Sequence, residues 1–352
     1  MKNVLFLLLM FSFSMLGFAA ESDSKLDSLA PTSSVADALA SPLRRVVIST
    51  NSLAESLLFY EGAMGLSVAG PIVLSSNDRA HRVQAWLLAK SEQWQLYRLY
   101  RAGVPDAVEI ELVVFDRIKP AIHQNWSALV LGPLSLGFPN SGQVSRDKAV
   151  RDLGFGALND IEIYPVPRPD GTQYRIEETI FNGPDFVHAV GIHRADGQTQ
   201  LGPLDDNGLG GPAYSAMVVQ DSSKMIAFMT EVLGWEMRSD RRWKSAGSKG
   251  ALNVPDGTEF RFSILYSKGA STGHVLLLQY LNVDVPPSAQ PVQVGNRGIG
   301  MWVMQSKSIK TIRAKAEKFG TQVLRLDSGS KRESLVLTAP NGFKILIEPQ
   351  QK

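Results

Sequence analysis

The 352-residue sequence contains no cysteine. This absence excludes disulfides, thiolate catalysis and the lipidated cysteine of a lipoprotein. An excess of one charge is also lacking, because 36 basic side chains face 34 acidic ones and leave a formal net charge of +2. Such a balance creates no long-range field that would gather nucleic acid, so we expect no nucleic-acid partner. Neither the HExxH nor the GxxxxGK[ST] pattern occurs, which removes two common enzyme classes.

The first twenty residues differ from the rest of the chain. Lys2 precedes an almost wholly apolar run over 4–18, and small residues follow at Ala19 and Ala20. The run is too short for a membrane span, and a polar stretch follows at once. We therefore expect residues 1–20 to be a signal peptide cleaved near Ala19 or Ala20, an uncleaved anchor being the alternative. The mature protein is then expected to be periplasmic or secreted, without membrane contact.

Composition divides the remaining chain into four parts. Residues 21–41 are rich in serine, aspartate and alanine without clear periodicity, and they predict a flexible leader. Residues 196–212 hold five glycines and two prolines, which is typical of a linker. We therefore expect an N-terminal domain at 42–195 and a C-terminal domain at 213–350, each large enough to bury its own core.

One pattern of strand, helix and further strands recurs within these domains. Ser52 corresponds to Asp221 and Gly65 to Gly234, each pair being 169 residues apart. Caps and helix-ending glycines at one constant offset predict an internal repeat. Weaker copies begin near residues 128 and 298, so four units are expected, two in each domain. In the first unit the expected elements are a strand over 45–49, a helix over 53–64, and strands over 83–88, 94–101 and 108–115.

Three stretches carry a resemblance to a known family. They are Arg45-Val46-Val47-Ile48 with Gly65-Leu66, Tyr214 with Leu233-Gly234, and Ala339-Pro340-Asn341-Gly342-Phe343-Lys344-Ile345-Leu346-Ile347-Glu348-Pro349. In order and spacing they resemble modules of the vicinal oxygen chelate superfamily, which includes glyoxalase I, bleomycin-resistance proteins and extradiol dioxygenases. The resemblance implies an α+β fold of four βαβββ modules, paired into two glyoxalase-like domains whose curved mixed sheets enclose cavities.

The resemblance also implies a divalent metal ion, with Fe, Mn, Ni and Zn as the candidates. Its usual ligands are histidine or glutamate on the first and last strands of a module. This sequence departs from that pattern, because Arg45 and Tyr214 hold first-strand positions and Leu346 holds a last-strand position. A guanidinium has no lone pair to offer a cation. No cofactor is therefore certain, and a complete standard metal site is not visible.

Two residues in the expected N-terminal domain are candidates for catalysis or metal binding. Glu111 alternates with apolar neighbours and shares a strand face with Glu109, so it matches a metal ligand or general base by resemblance. The alternative is an outward face with both glutamates solvated. His188 approximates the second ligand position as a neutral imidazole, and its alternative is a satisfied core histidine. Glu111 and His188 together form an incomplete set of metal ligands.

Three further residues are candidates for ligand binding. Arg45 is suited to a substrate carboxylate or phosphate, and its alternatives are an ion pair with Glu111 or exposure at the start of the strand. Tyr214 offers a hydrogen bond inside the second cavity, or is a buried tyrosine with one partner. Gln279, near the end of a strand, is suited to a polar ligand.

These observations favour an exported protein that binds a small molecule in a cavity without a complete metal site. The alternative is a metal-dependent lyase, isomerase or dioxygenase with its site in the N-terminal domain. A third reading is a structural protein whose cavities are filled by side chains. The expected partner is a small-molecule ligand, and monomer and homodimer both remain open.

Overall fold

The computed structural model of the protein describes residues 38–350, except residues 169, 248–249 and 328–332. The predicted signal peptide and most of the predicted leader lie outside the described residues. Residues 38–41 close the leader and were expected to be flexible, but the structure ties them to the fold. The Ala40 N–H donates to the Leu233 carbonyl (3.0 Å) and the Ser41 N–H to the Gln305 carbonyl (2.8 Å). None of the described helices has the length and apolar character needed to cross a membrane.

The described chain forms four modules, each of which begins with a strand and a helix. The first module comprises β1 (Arg45–Thr50), α1 (Leu53–Leu57) continuing as a π-helical segment (Leu58–Ala63), β2 (Ser67–Ala69), α2 (Ser76–Ala85), β3 (Trp94–Tyr100) and β4 (Glu109–Phe115). The second comprises β5 (Gly132–Pro139), α3 (Gln143–Asp152), β6 (Glu162–Pro167), β7 (Gln173–Asn182) and β8 (His188–Arg194).

The third module comprises β9 (Tyr214–Val218), α4 (Ser222–Glu231), β10 (Glu236–Lys244), β11 (Glu259–Tyr266) and β12 (His274–Tyr280). The fourth comprises β13 (Gly298–Ser306), α5 (Ile309–Phe319), β14 (Val323–Asp327), β15 (Glu333–Thr338) and β16 (Lys344–Pro349). The predicted caps hold, since Ser52 and Asp221 accept hydrogen bonds at the starts of α1 and α4. Gly65 and Gly234 both adopt a φ of +69°, the left-handed conformation that ends helices.

Helix α2 corrects one prediction. The sequence predicted a strand over 83–88, but residues 83–85 form the last turn of this helix. The Ser75 side chain caps α2 by accepting the Asp78 N–H at 3.1 Å. The apolar residues that suggested a strand include Trp86, which is buried directly after the helix. A serine followed three residues later by an aspartate was the available helix signal.

The modules pair differently from the order predicted. Strand β1 pairs antiparallel with β13, and β5 pairs antiparallel with β9. One eight-stranded sheet, here the first sheet, runs β14-β15-β16-β13-β1-β4-β3-β2, and the second sheet runs β10-β11-β12-β9-β5-β8-β7-β6. The first module therefore pairs with the fourth and the second with the third, whereas the sequence predicted pairing of consecutive modules. Backbone hydrogen bonds between opening strands decide this pairing, and they are not visible in local sequence.

One face of each sheet contributes to a shared core. Ile48 and Ile110 from the first sheet, Leu136 and Met217 from the second, and Phe228 from α4 are all buried in one cluster. The two sheets are joined directly where the Trp302 indole N–H donates to the Ser215 hydroxyl at 3.0 Å. The opposite face of each sheet, here its site face, carries a separate apolar cluster.

Candidate functional site

The central strands of the first sheet bring three charged residues together on its site face. Arg45 opens β1, Glu111 lies on the neighbouring β4, and Glu348 lies on β16. The Arg45 Nε lies 3.2 Å from the Glu111 Oε1, and the Arg45 Nη2 donates to the Glu348 Oε2. One guanidinium therefore binds two carboxylates that are remote in sequence.

Helix α2 lies against this cluster and adds a second arginine. The Arg82 Nη1 donates to the Glu111 Oε2 at 2.7 Å, and its guanidinium lies 5.2 Å from the centre of the Trp86 ring. Glu111 is 1% exposed. Burial alone would raise the pKa of its carboxyl, but Arg45 and Arg82 outweigh burial and hold that pKa below its usual range. Glu111 is therefore a buried, fully paired carboxylate.

These contacts decide between the alternatives for Arg45 and Glu111. The face is turned inward, so Glu111 is not solvated as the alternative proposed. Burial would lower the pKa of the Arg45 guanidinium, but the charges of Glu111 and Glu348 raise it above its usual value. The ion pair of Arg45 with Glu111, named as an alternative, is present. Glu109 pairs instead with Arg98 at 3.3 Å and stays partly exposed.

The divalent metal implied by the resemblance does not fit these residues. The carboxylates of Glu111 and Glu348 face a guanidinium, which cannot act as a metal ligand. The part of the chain that the structure describes contains no group of three or more histidine, aspartate or glutamate side chains arranged to hold an ion. The resemblance assigned the metal-ligand position of the last strand to Leu346. The residue that contacts Arg45 is instead Glu348, two residues later.

His188 does not join Glu111, because it lies on β8 of the second sheet. Its ring is buried, and its Nδ1 lies 3.4 Å from the Phe181 carbonyl oxygen. Burial lowers the pKa of the imidazole to about 4, so the ring is neutral at physiological pH. The structure thus separates the two predicted catalytic residues and places His188 in a core environment.

The equivalent position in the second sheet is held by Tyr214, which opens β9. Its ring lies across Gly137 of β5, where a Cβ would lie 1.9 Å from the Tyr214 Cε1. Burial raises the pKa of the phenol well above its usual value, so the hydroxyl stays protonated. Within the described chain, no hydrogen bond is made by this hydroxyl. The centre of this site face therefore offers an unused donor.

Glu178 lies near Tyr214 on the same site face. Glu178 lies on β7, directly opposite Glu162 of β6. Its carboxylate accepts a hydrogen bond from the Tyr164 hydroxyl at 3.1 Å. Burial, followed by the charge of Glu162, raises the pKa of the Glu178 carboxyl to about 7. This carboxyl is therefore partly protonated at neutral pH and able to donate or accept a proton.

Arg194, at the end of β8, places a positive charge near Tyr214. The Arg194 Nη1 donates to the Thr199 carbonyl at 3.2 Å, while its Nε is buried without a partner. No carboxylate of the described residues forms an ion pair with Arg194, although its charge acts on Tyr214. His274, opposite Tyr214 in the register, is fully buried, and neither of its ring nitrogens has a partner of normal geometry in the described part of the chain.

Gln279 has a different position from the one predicted. Its Oε1 accepts hydrogen bonds from the Ser222 N–H at 3.0 Å and the Ser222 hydroxyl at 2.7 Å. It alternates with the site-face residues of β12, and so it points away from Tyr214. Gln279 therefore anchors the start of α4.

Sequence reasoning missed Arg82, Glu178, Arg194 and Glu348. Glu348 was within the quoted closing segment, one alternation from the expected position. Arg82 was missed because a strand, rather than helix α2, was predicted directly after it. Glu178 and Arg194 carried no local signal, since a charged residue on an edge-side strand is normally solvated.

A separate cavity of about 310 Å³ lies at the other end of β9. Its polar lining includes Gln220, Asp221, Lys224 and Asn341, and its apolar lining includes Val292 and Phe343. The Asp221 carboxylate is already used as the cap of α4. The cavity lining includes none of Arg45, Glu111, Glu178 and Tyr214, so the cavity lies apart from the charged and polar residues described above.

Solved structures with a similar fold are glyoxalase I and a dioxygenase candidate. Glyoxalase I of Zea mays matches with a TM-score of 0.58 and 14% identity, over 88% of this chain and 92% of that chain. The dioxygenase candidate, from Bacillus subtilis, matches with a TM-score of 0.51 and 12% identity, over 89% of this chain and 86% of that one. Neither the protein-family models nor the curated proteins match the sequence. The protein thus has the glyoxalase-like, vicinal oxygen chelate fold, as the resemblance implied.

Proposed function

We propose that the protein binds a small organic anion on the site face of the second sheet, without a metal ion. The site is the Tyr214 cluster, defined as Tyr214, Tyr164, Glu178, Arg194 and His274. The observation that supports it most is the unused hydroxyl of Tyr214 beside an arginine without a carboxylate partner. A fold of this kind supports many functions, so the proposal depends on these side chains rather than on the fold.

The charges in the cluster favour a carboxylate ligand. Arg194 and nearby Arg238 both act electrostatically on His274, and burial is the main cause that lowers the pKa of this imidazole to about 4. A neutral histidine, a protonated tyrosine and a half-protonated Glu178 leave little negative charge near Arg194. A bound carboxylate would supply the missing counter-charge through charge-assisted hydrogen bonds. Unpaired buried donors are costly, and a ligand that accepts from them recovers that cost.

Metal-dependent lyase, isomerase or dioxygenase chemistry receives less support. It would require convergent ligands in the N-terminal half, and Glu111 and His188 lie in different sheets. Both oxygens of the Glu111 carboxylate also face arginine donors. Binding is therefore the function that these contacts favour.

The test is calorimetry and thermal unfolding with a panel of small carboxylates, such as lactate, succinate and benzoate. We expect at least one to raise the unfolding temperature of the wild type in proportion to its occupancy. Arg194→Gln and Tyr214→Phe should each weaken its binding about tenfold or more. The matched control is Arg175→Gln, an exposed arginine of the second sheet that pairs with Asp196, and it should bind like the wild type. If no carboxylate binds, or Arg194→Gln binds as tightly as the wild type, the proposal is wrong.

We also propose that the protein is exported, on the basis of residues 1–20. The test is expression of the full chain, separation of periplasm from cytoplasm, and mass determination of the mature N terminus. A chain beginning at Ala20 or Glu21 in the periplasmic fraction is expected. A full-length chain retained in the cytoplasm would contradict export.

A further inference from the structure

The Arg45 guanidinium has an unusual position between two carboxylates. Its side chain is 13% exposed, that of Glu111 is 2% exposed and that of Glu348 is 22% exposed. Arg45 and Glu348 are 303 residues apart in sequence. The sheet therefore brings two acidic groups from different modules to one largely buried point, and a single cation lies between them.

Two carboxylates so placed require a positive charge. Arg82 neutralises Glu111 through Oε2 only, which leaves Oε1 and the Glu348 carboxylate to Arg45. Without Arg45, both would face each other in a medium of low dielectric constant, where like charges strongly destabilise the fold. A divalent cation supplies the same charge compensation, and carboxylate oxygens are among its usual ligands.

One histidine lies within electrostatic reach of Glu348, but among the described residues it does not complete a metal-holding group with the two carboxylates. His81, on helix α2, has a buried Nε2 without a partner among the described residues. The charge of Glu348 acts on its imidazole.

We propose that Arg45 is a built-in cation that fills a divalent-metal site formed by Glu111 and Glu348. The first sheet is then independent of metal because the arginine supplies the charge that an ion would supply. Replacing Arg45 by a residue with a lone pair opens the site to a metal ion. This inference concerns the first sheet and does not depend on ligand binding by the Tyr214 cluster.

The test is titration of purified Arg45→His with Ni²⁺ alone, followed by calorimetry and thermal unfolding. We expect one Ni²⁺ per chain, bound at least about tenfold more tightly than by the wild type, with a rise in unfolding temperature. Arg45→Lys keeps the positive charge and should gain no site. The double variant Arg45→His with Glu348→Gln should lose the gained affinity.

A matched control tests whether any histidine beside a carboxylate is sufficient. Arg44→His makes the same exchange beside Asp106, a single and largely exposed carboxylate that pairs with Arg44 at 3.5 Å. It should bind Ni²⁺ no more tightly than the wild type. Equal gains in Arg44→His and Arg45→His would overturn the proposal, because no specific site would then be needed.

The proposal remains testable if Arg45→His folds poorly. The variant is then refolded with and without about 1 mM Ni²⁺ and followed by circular dichroism. Folding that depends on Ni²⁺ supports the inference. A chain that stays unfolded with the ion, or a folded chain that binds no Ni²⁺ above the wild-type level, overturns it.

Discussion

The aromatic ring of Tyr214 packs against Gly137, its partner on the neighbouring strand of the second sheet. A Cβ at Gly137 would lie 1.9 Å from the ring, far inside contact distance. The glycine is thus required by the tyrosine rather than by a turn. Because Tyr214 occupies the centre of the proposed site, the pair links the local backbone to the proposed function.

Gly137→Ala is expected to displace the Tyr214 ring and to lower the free energy of unfolding by about 1–3 kcal/mol through overpacking. Urea denaturation measures the change. Gly295→Ala is the matched control, since the nearest atom to its added Cβ is a side-chain carbon of Leu88 at 3.6 Å. That control should change stability by less than about 0.5 kcal/mol. Equal effects at both sites would contradict the close packing of Tyr214 on Gly137.

Glu178 is expected to make stability fall as the pH rises. Burial and the charge of Glu162 raise the pKa of its carboxyl to about 7 in the folded state, above its ordinary 4.5. The protonated form is therefore favoured by folding, and its contribution is complete below pH 4.5 and lost as the pH rises through 7. Between pH 5 and 8 the wild type should lose about 1–3 kcal/mol more than Glu178→Gln. Parallel pH profiles of the two proteins, measured by denaturation, would refute this.

His188 is expected to make the free energy of unfolding fall as the pH falls. Burial lowers the pKa of its imidazole to about 4, below the ordinary 6.5. Folding therefore favours the neutral ring, and this contribution is present above pH 6.5 and lost as the pH falls through 4. Between pH 7 and 5, His188→Asn should lose about 2 kcal/mol less stability than the wild type. Denaturation curves at both pH values check this, and an unchanged pH dependence would show that His188 is not the responsible group.

Glu111 and Glu109 share a strand face, but we expect them to contribute very differently to the free energy of unfolding. Glu111→Gln leaves two partly buried arginines short of a counter-charge and should cost about 3–5 kcal/mol. Glu109→Gln removes a partly exposed pair with Arg98 and should cost less than about 1 kcal/mol. Chemical denaturation of both variants at pH 7 compares the two losses. Similar losses would mean that the Arg45–Glu111–Arg82 network adds little to stability.

Much of the architecture was predictable from local sequence. The helix caps at Ser52 and Asp221 and the glycines at Gly65 and Gly234 were recognisable because each position requires a particular residue type. Helix α2 was not predicted, because the apolar residues at its end suggest a strand when they are considered alone. Arg45 and Tyr214 were located correctly on their opening strands, but their partners were only partly foreseen.

The candidate site depended on strand pairing that no local pattern contains. Glu348 reaches Arg45 only because β13 separates β1 from β16 in one sheet. The same pairing placed His188 in the other sheet and removed it from Glu111. The alternation of side chains along its strand also determined the role of Gln279. Its side chain points to the opposite face, so it anchors helix α4 rather than lining the Tyr214 cluster.

The amino-acid sequence by itself determined four βαβββ modules, their caps and the position of Arg45 and Tyr214 at the start of their strands. These features follow from interactions within a few residues, which composition and periodicity record. Only the tertiary structure decided that the first module pairs with the fourth and the second with the third. It also decided that Arg45 neutralises two carboxylates and that Tyr214 covers Gly137. These contacts join residues tens to hundreds of positions apart, and their free energy depends on burial and geometry that exist only in the folded chain.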